Sequence, residues 1–127
     1  MDIKIRTEEL RLSFGKREIL KGVTVDVYKN KITGFMGPAG SGKSSLISIM
    51  NRMIDFEENA TISGRVFIDG EDILDGEIDE VHLRRRVGMV FAVPIALPRS
   101  IFDNIAYGPR LKNKNSGREL RSLVQES

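Results

Sequence analysis

The chain contains no cysteine, which excludes disulfide bonds and thiolate metal sites and fits a reducing compartment. It also lacks a long apolar run. The longest, "MVFAVPIALP" at residues 89–98, carries two prolines and is shorter than the ~20 apolar residues that a membrane-spanning helix needs. The N-terminal "MDIKIRTEEL" alternates charged and apolar residues, so it is not a signal peptide. If the protein works at a membrane, we expect it to arrive there through a partner.

Strong charge of one sign is missing as well. The 20 basic and 18 acidic residues leave a net charge of +2, which gives no electrostatic argument for binding nucleic acid. The one dense basic run, "LRRR" at residues 83–86, is interpreted as the solvated face of a helix rather than a binding patch. The single histidine, His82, lies in the same predicted helix and is interpreted as a surface residue.

The pattern of the first thirty residues predicts strands. "DIKIR", "LRLSF" and "VTVDVY" alternate between apolar and polar residues, and "FGKRE" has the chemistry of a turn. We therefore expect an antiparallel β layer with one buried face. The length of 127 residues allows at most one ordinary domain.

The next segment predicts a strand, a glycine loop and a helix. "ITGFMG" at residues 32–37 is typical of a strand that is covered on both faces. In "KSSLISIMNRMIDF" one helix face carries Leu46, Met50, Met53 and Ile54. Strand, loop and helix together form half of a βαβ unit, which favours an α/β fold.

Further elements follow. "GRVFIDGEDIL" predicts a hairpin that turns at "DG", and "DEVHLRRR" a short helix with Asp79 near its start. "VGMVF" at residues 87–91 predicts a second buried strand. "SIFDNIAYG" begins a helix with Ser100 as N-cap and Asp103 three residues later, and "GRELRSLVQES" has helical spacing.

The glycine loop has the chemistry of a phosphate cradle and fits GxxxxGK followed by serine. Its glycines allow backbone angles that turn amide N–H groups toward an anion, and the N-terminus of the following helix favours the same charge. Lys43 would face the terminal phosphates and Ser44 would offer a hydroxyl to Mg²⁺. The alternative is a tight turn that matches by chance, but the strand before the loop and the helix after it favour phosphate binding. The predicted binding residues are Gly37, Pro38, Ala39, Gly40, Ser41, Gly42, Lys43, Ser44 and Ser45.

About three strands precede this loop, an arrangement that resembles the ATP-binding motor subunits of ABC transporters. Four later stretches, "NRMIDF", "GRVFIDGEDI", "LRRRVGMVF" and "SIFDNIAYGPRL", are similar to the phosphate-importer subfamily. The similarity extends over nearly the whole chain. The loop specifies the superfamily, whereas the subfamily rests on "NRM", "RRRVGMVF" and "DNIAYGPR" in combination.

The resemblance implies a phosphate-loop ATPase fold that binds ATP and Mg²⁺. Phe14 matches the family's aromatic residue that stacks on adenine, although an ordinary apolar residue at a strand end is the alternative. The implied layout is a β layer at residues 1–30, a phosphate-loop core at 31–99 and the start of a helical subdomain at 100–127. The loop after "VGMVF" matches the segment that faces the membrane subunits.

The implied activity is ATP hydrolysis coupled to import of inorganic phosphate, with Lys43 stabilising the phosphates. The implied partners are membrane-spanning permease subunits, a second nucleotide-binding subunit and, indirectly, an extracellular phosphate-binding protein. The implied location is the cytoplasmic face of the membrane, as a peripheral protein.

Two departures from the family pattern stand out. Ala92 occupies the position of a glutamine that contacts Mg²⁺ and the attacking water in the family. The chain also matches the N-terminal half of the family domain, so we expect a truncated domain without the "LSGGQ" signature, the acidic strand end, the catalytic glutamate and the switch histidine. By itself such a chain is expected to bind ATP weakly and to be inactive in hydrolysis.

Three hypotheses follow. The chain is part of a transport ATPase, a non-catalytic nucleotide-binding module or regulator, or a small phosphotransferase. The third would need an acceptor pocket and an arginine-rich lid, and the residues after position 91 offer neither.

Exposed apolar segments lead to the first testable prediction. If residues 32–36 lack neighbouring strands, an unpaired edge and an apolar face meet solvent, and the apolar loop at residues 93–97 adds to this surface. We expect the isolated chain to be poorly soluble or partly molten. Sedimentation and thermal melting test this, and a monomer with a sharp, cooperative transition would contradict it.

Overall fold

A four-stranded antiparallel sheet organises the first half of the protein, whose computed structural model describes residues 1–112 and 117–127. The sheet has the order β2-β1-β3-β4, and its strands are β1 (Ile3–Phe14), β2 (Arg17–Tyr28), β3 (Ala60–Ile68) and β4 (Glu71–Asp72). The predicted antiparallel pairing in the first thirty residues is confirmed, with "DIKIR" and "LRLSF" joined in the single strand β1.

The hairpin predicted at "DG" is confirmed and adds β3 and β4 to the same sheet. Its two turn residues, Asp69 and Gly70, have φ angles of 51° and 82°, the left-handed pair that a type I′ turn requires. Lys4 Nζ donates to Asp69 Oδ2 at 2.7 Å, and this hydrogen bond is the main cause that lowers the pKa of the Asp69 carboxyl. The turn is therefore tied to β1 as well as closed on itself.

A bulge interrupts β1 between Thr7 and Leu10. The buried Thr7 hydroxyl bridges the gap in the ladder, because its Oγ1 accepts from the Val25 amide at 3.0 Å and donates to the Val23 carbonyl at 2.9 Å. On the other side β3 presents Gly64, with a φ of 92°. A Cβ at Gly64 would lie 2.5 Å from the Glu9 carbonyl oxygen, so the bulge fits only against a glycine.

The core lies between the sheet and the first helix, α1 (Lys43–Met50), which buries Leu46, Ile49 and Met50. The predicted helix ends earlier than its apolar spacing suggested. Arg52 takes a left-handed φ of 59°, and Met53–Phe56 form a 3₁₀ turn whose Ile54 still reaches the core. The buried residues of α1 belong to the same apolar cluster as Leu10 and Leu12 of β1 and Leu20 of β2.

The second helix, α2 (Glu80–Arg86), starts where the sequence predicted. Asp79 caps it, because its Oδ1 accepts from the His82 amide at 3.0 Å. Leu83 is buried in the core, whereas the His82 side chain is exposed, as expected for a surface residue. Arg84 and Arg86 of the basic run form ion pairs with acidic residues on the protein surface.

Two predicted strands are absent from the described structure, and those predictions were wrong. Residues 32–37 and 87–91 belong to no strand, and the side chains of Ile32, Met36 and Val90 are 103%, 96% and 97% exposed. A strand depends on hydrogen bonds to a neighbouring strand, and within residues 1–112 and 117–127 neither segment has one. The sheet of the described residues is therefore antiparallel throughout, without the parallel pairing that a βαβ unit implies.

The chain divides into two units, Met1–Met89 and Val90–Ser127. The second contains α3 (Ile101–Lys112) and α4 (Gly117–Glu126), which pack on each other and bury Ala106 and Leu120. The predicted cap of α3 is confirmed, because Ser100 Oγ accepts from the Asp103 amide at 3.0 Å and donates to its carboxylate at 2.8 Å. None of the described helices is long and apolar enough to cross a membrane.

The bulge generates a stability prediction. Gly64→Ala should lower the free energy of unfolding by at least about 2 kcal/mol, because the new methyl group would meet the backbone oxygens of Glu8 and Glu9 at a left-handed φ. Urea titration followed by far-ultraviolet circular dichroism measures the effect. Gly76→Ala is the matched control, since open space surrounds that position, and it should change stability by about 0.5 kcal/mol or less. Equal unfolding midpoints for the two variants would contradict the role of Gly64.

Candidate functional site

The glycine loop, residues 37–45, joins the extended segment after β2 to the start of α1. Gly40 and Gly42 adopt left-handed φ angles of 78° and 95°, which glycine reaches without a steric penalty. The Ser41 amide donates to the Pro38 carbonyl at 3.2 Å and closes a turn inside the loop. Gly42 is the N-cap of α1, and its carbonyl accepts the helix hydrogen bond from the Leu46 amide at 2.8 Å.

Gly42 also sets the position of the loop against β2. A Cβ at Gly42 would lie 2.8 Å from Leu20 Cδ2 and 3.0 Å from Ile19 Cγ2. A Cβ at Gly40, in contrast, would meet nothing within 4 Å. One glycine therefore permits close contact with the sheet, whereas the other shapes the open side of the loop.

The ammonium group of Lys43 is held by the loop itself. Its Nζ donates to the Gly37 carbonyl at 2.7 Å, the Pro38 carbonyl at 2.8 Å and Ser41 Oγ at 3.2 Å. These three contacts match the three N–H donors of a lysine ammonium. The loop thus curves around a positive charge before any ligand is considered.

Backbone amides of the loop remain available to an anion. Within the described residues, the N–H groups of Gly40, Gly42, Lys43 and Ser44 have no hydrogen-bond acceptor. The last two belong to the first turn of α1, where amides lack intrahelical partners and the helix dipole favours negative charge.

An open pocket of about 500 Å³ lies at this place. It brings together the half-buried Phe14 and most of the predicted loop residues, namely Ala39, Gly40, Gly42, Lys43, Ser44 and Ser45. Gly37, Pro38 and Ser41 are not among its lining residues, but their oxygens hold the Lys43 ammonium. The structure therefore places Phe14 and the loop, which are far apart in sequence, beside the same space.

Two lining residues, Arg17 and Ile19, were not predicted from the sequence. Both lie at the start of β2, and the register of the β1–β2 hairpin pairs Phe14 with Arg17. The turn chemistry of "FGKRE" carried a signal for this pairing, because a two-residue turn places its flanking residues opposite each other.

The donor atoms of the pocket suit an anionic ligand. Lys43 and Arg17 supply positive charge, and no lining residue is acidic. Ser44 contributes one hydroxyl, and the described residues contain no group of three or more His, Cys, Asp or Glu that could hold a metal ion. Mg²⁺ commonly binds through one or two protein oxygens together with substrate phosphates and waters, so Ser44 fits the ion in company with a polyphosphate.

Ala92, which the resemblance matches to a glutamine of the family, lies in the unit Val90–Ser127. Ala92 is exposed and belongs to no helix or strand of the described structure. A methyl group offers no oxygen to a metal or a water, so the side chain of this residue supplies no ligand.

A glycine loop that caps a helix and curves around a lysine ammonium has the geometry of a phosphate-binding loop. The sequence profile of the family described as "ABC transporter" matches residues 20–126, so the chain belongs to that family. A solved structure described as "Structure of a bacterial Atm1-family ABC exporter with ATP bound" superposes with a TM-score of 0.72 and is 28% identical in sequence. The match covers 84% of this chain and 18% of that chain, so this protein spans less than a fifth of its structural relative. The fold is that of an ABC nucleotide-binding domain.

Proposed function

We propose that the chain binds ATP with Mg²⁺ in the pocket between the β1–β2 hairpin and the glycine loop. The observation that carries this proposal is that Phe14 and the loop line one space. An aromatic face for a base and a ring of amides for phosphates are the two features that a nucleoside triphosphate requires. The neighbouring structure is described as having ATP bound, which supports the same ligand class here.

Each residue has a separate role in this proposal. Phe14 stacks on the adenine ring, and the amides of Gly40, Gly42, Lys43 and Ser44 donate to phosphate oxygens. Lys43 exchanges its carbonyl partners in the loop for the terminal phosphates, which offer stronger, charge-assisted hydrogen bonds. Ser44 donates a hydroxyl oxygen to Mg²⁺, and the bound ion neutralises charge on the phosphates.

The activity of the whole protein is a further proposal. We propose an ATP-hydrolysing motor subunit of an importer for inorganic phosphate, on the strength of "NRM", "RRRVGMVF" and "DNIAYGPR". The neighbouring structure belongs to an exporter, so the direction of transport rests on these stretches alone. The proposed partners are permease subunits, a second nucleotide-binding subunit and, through them, an extracellular phosphate-binding protein. The proposed location of this chain is the cytoplasmic face of the membrane, as a peripheral protein. The proposed layout is a β layer at 1–30, a phosphate-loop core at 31–99 and a helical start at 100–127.

Nucleotide binding is tested by calorimetry or a fluorescent ATP analogue, with tripolyphosphate as the ligand that lacks a base. Lys43→Ala should weaken the binding of both ligands roughly tenfold or more, because a positive charge that faces the phosphates is lost. Phe14→Ala should weaken the binding of ATP roughly tenfold and leave the affinity for tripolyphosphate unchanged, because Phe14 stacks only on the base.

Matched controls are available within the chain. Lys21→Ala removes an exposed lysine and Phe56→Ala an exposed phenylalanine, and neither residue lines the pocket. Both controls should keep the wild-type affinities. Lys43→Ala with unchanged binding of both ligands would refute the phosphate role. If Phe14→Ala weakens the binding of tripolyphosphate as strongly as the binding of ATP, the base does not stack on Phe14.

The transport proposal is tested in the source cell under phosphate limitation. Replacing the chromosomal gene by the Lys43→Ala allele should abolish high-affinity uptake of radiolabelled phosphate, because phosphoryl transfer depends on positioned positive charge. Uptake should survive in the Lys21→Ala allele. Normal phosphate uptake combined with impaired transport of another solute would show that the protein serves a different transporter.

A further inference from the structure

Arg17 is the first residue of β2 and lies across the hairpin from Phe14. It lines the same pocket as Lys43 and Ser44, and its side chain is exposed. The pocket thus contains a second cation, contributed by the sheet rather than by the loop.

The guanidinium of Arg17 has no ion-pair or hydrogen-bond partner among the described residues, in contrast to two other arginines of the sheet, Arg6 and Arg11. Arg6 binds Asp26 through two nitrogens, at 2.8 and 3.0 Å. The carboxylate next to Arg17 in sequence, Glu18, accepts from Arg11 Nη1 at 3.1 Å. The nearest acidic residue along the chain is therefore already paired with another arginine.

The other cation of the pocket is engaged. The three hydrogen bonds of Lys43 to the loop use all its N–H donors, so it must give up at least one before it can contact a ligand. Arg17 needs no such exchange. A guanidinium also presents a planar pair of N–H donors that matches phosphate oxygens.

We propose that Arg17 is a ligand-binding residue that contacts the phosphate chain of the bound nucleotide, alongside Lys43 and the loop amides. This inference rests on the proposed nucleotide function but specifies a contact that neither the glycine-loop motif nor the aromatic residue supplies. Phe14 provides the face for the base, and its partner in the hairpin, Arg17, provides a charge for the phosphates. The hairpin therefore recognises both ends of the ligand from adjacent positions.

The experiment measures dissociation constants for ATP, tripolyphosphate and adenosine with wild type and three variants. Arg17→Ala should weaken the binding of ATP and of tripolyphosphate by a similar factor, roughly tenfold, and leave the affinity for adenosine unchanged. Arg17→Lys keeps the charge without the planar fork and should recover part of the loss. The difference in ATP affinity between wild type and Arg17→Ala should shrink as the salt concentration is raised, because an exposed charge is screened. Arg65→Ala removes an exposed arginine of β3 outside the pocket and should change each affinity less than about twofold.

Circular dichroism spectra that match the wild type confirm that each variant folds. Three results would overturn the proposal. The first is an Arg17→Ala variant with unchanged affinity for both phosphate ligands. The second is a loss of affinity for ATP with none for tripolyphosphate, which would place Arg17 on the base or ribose, and the third is an equal loss of affinity in Arg65→Ala, which would reduce the effect to net charge.

Failure of the proposed function gives a different pattern. If wild type binds tripolyphosphate as tightly as ATP and Phe14→Ala has no effect, the chain does not recognise the base. The response of tripolyphosphate binding to Arg17→Ala then still decides the present proposal. If wild type binds neither phosphate ligand, both proposals are wrong.

Discussion

The close approach of Gly42 to β2 is the constraint on which the site depends. At this point the backbone of the loop meets the side chains of Ile19 and Leu20, and a Cβ would overlap both. Leu20 is at the same time part of the core that receives Leu46 and Ile49 of α1. The helix, the loop and the β1–β2 hairpin are therefore held together by the core and by this contact, which has no room for a side chain. Because close-packed interiors transmit small displacements, the position of Phe14 and Arg17 beside the loop follows from it.

The loop is largely preformed, and Lys43 is the reason. Its ammonium organises the carbonyls of Gly37 and Pro38, while the amides of Gly40, Gly42, Lys43 and Ser44 have no acceptor within the described residues. A site that is shaped before binding loses less conformational entropy when the ligand arrives. The exchange of carbonyls for phosphates at Lys43 is favoured by charge, since a phosphate carries more negative charge than two peptide carbonyls.

The family of this chain is shown, whereas the transported substance is proposed. The glycine loop, its helix and the antiparallel sheet are features of nucleotide handling, and they place the chain among ABC transporters together with the match over residues 20–126. A nucleotide pocket makes no contact with a transported ion. The profile match and the fold therefore establish the family, whereas phosphate import remains a proposal that rests on short stretches of sequence.

The sequence by itself determined the features that depend on a few neighbouring residues. The type I′ turn at Asp69 and Gly70, the caps at Asp79 and Ser100 and the left-handed glycines of the loop are all local, because each requires only its own backbone angles and side chains. Tertiary structure decided the rest. Residues 32–37 and 87–91 have the composition of strands, yet a strand exists only beside a partner that supplies its hydrogen bonds. Arg17 and Ile19 became part of the site because the packing of Gly42 brings the hairpin to the loop, and no local pattern encodes a contact between segments that lie so far apart in the chain.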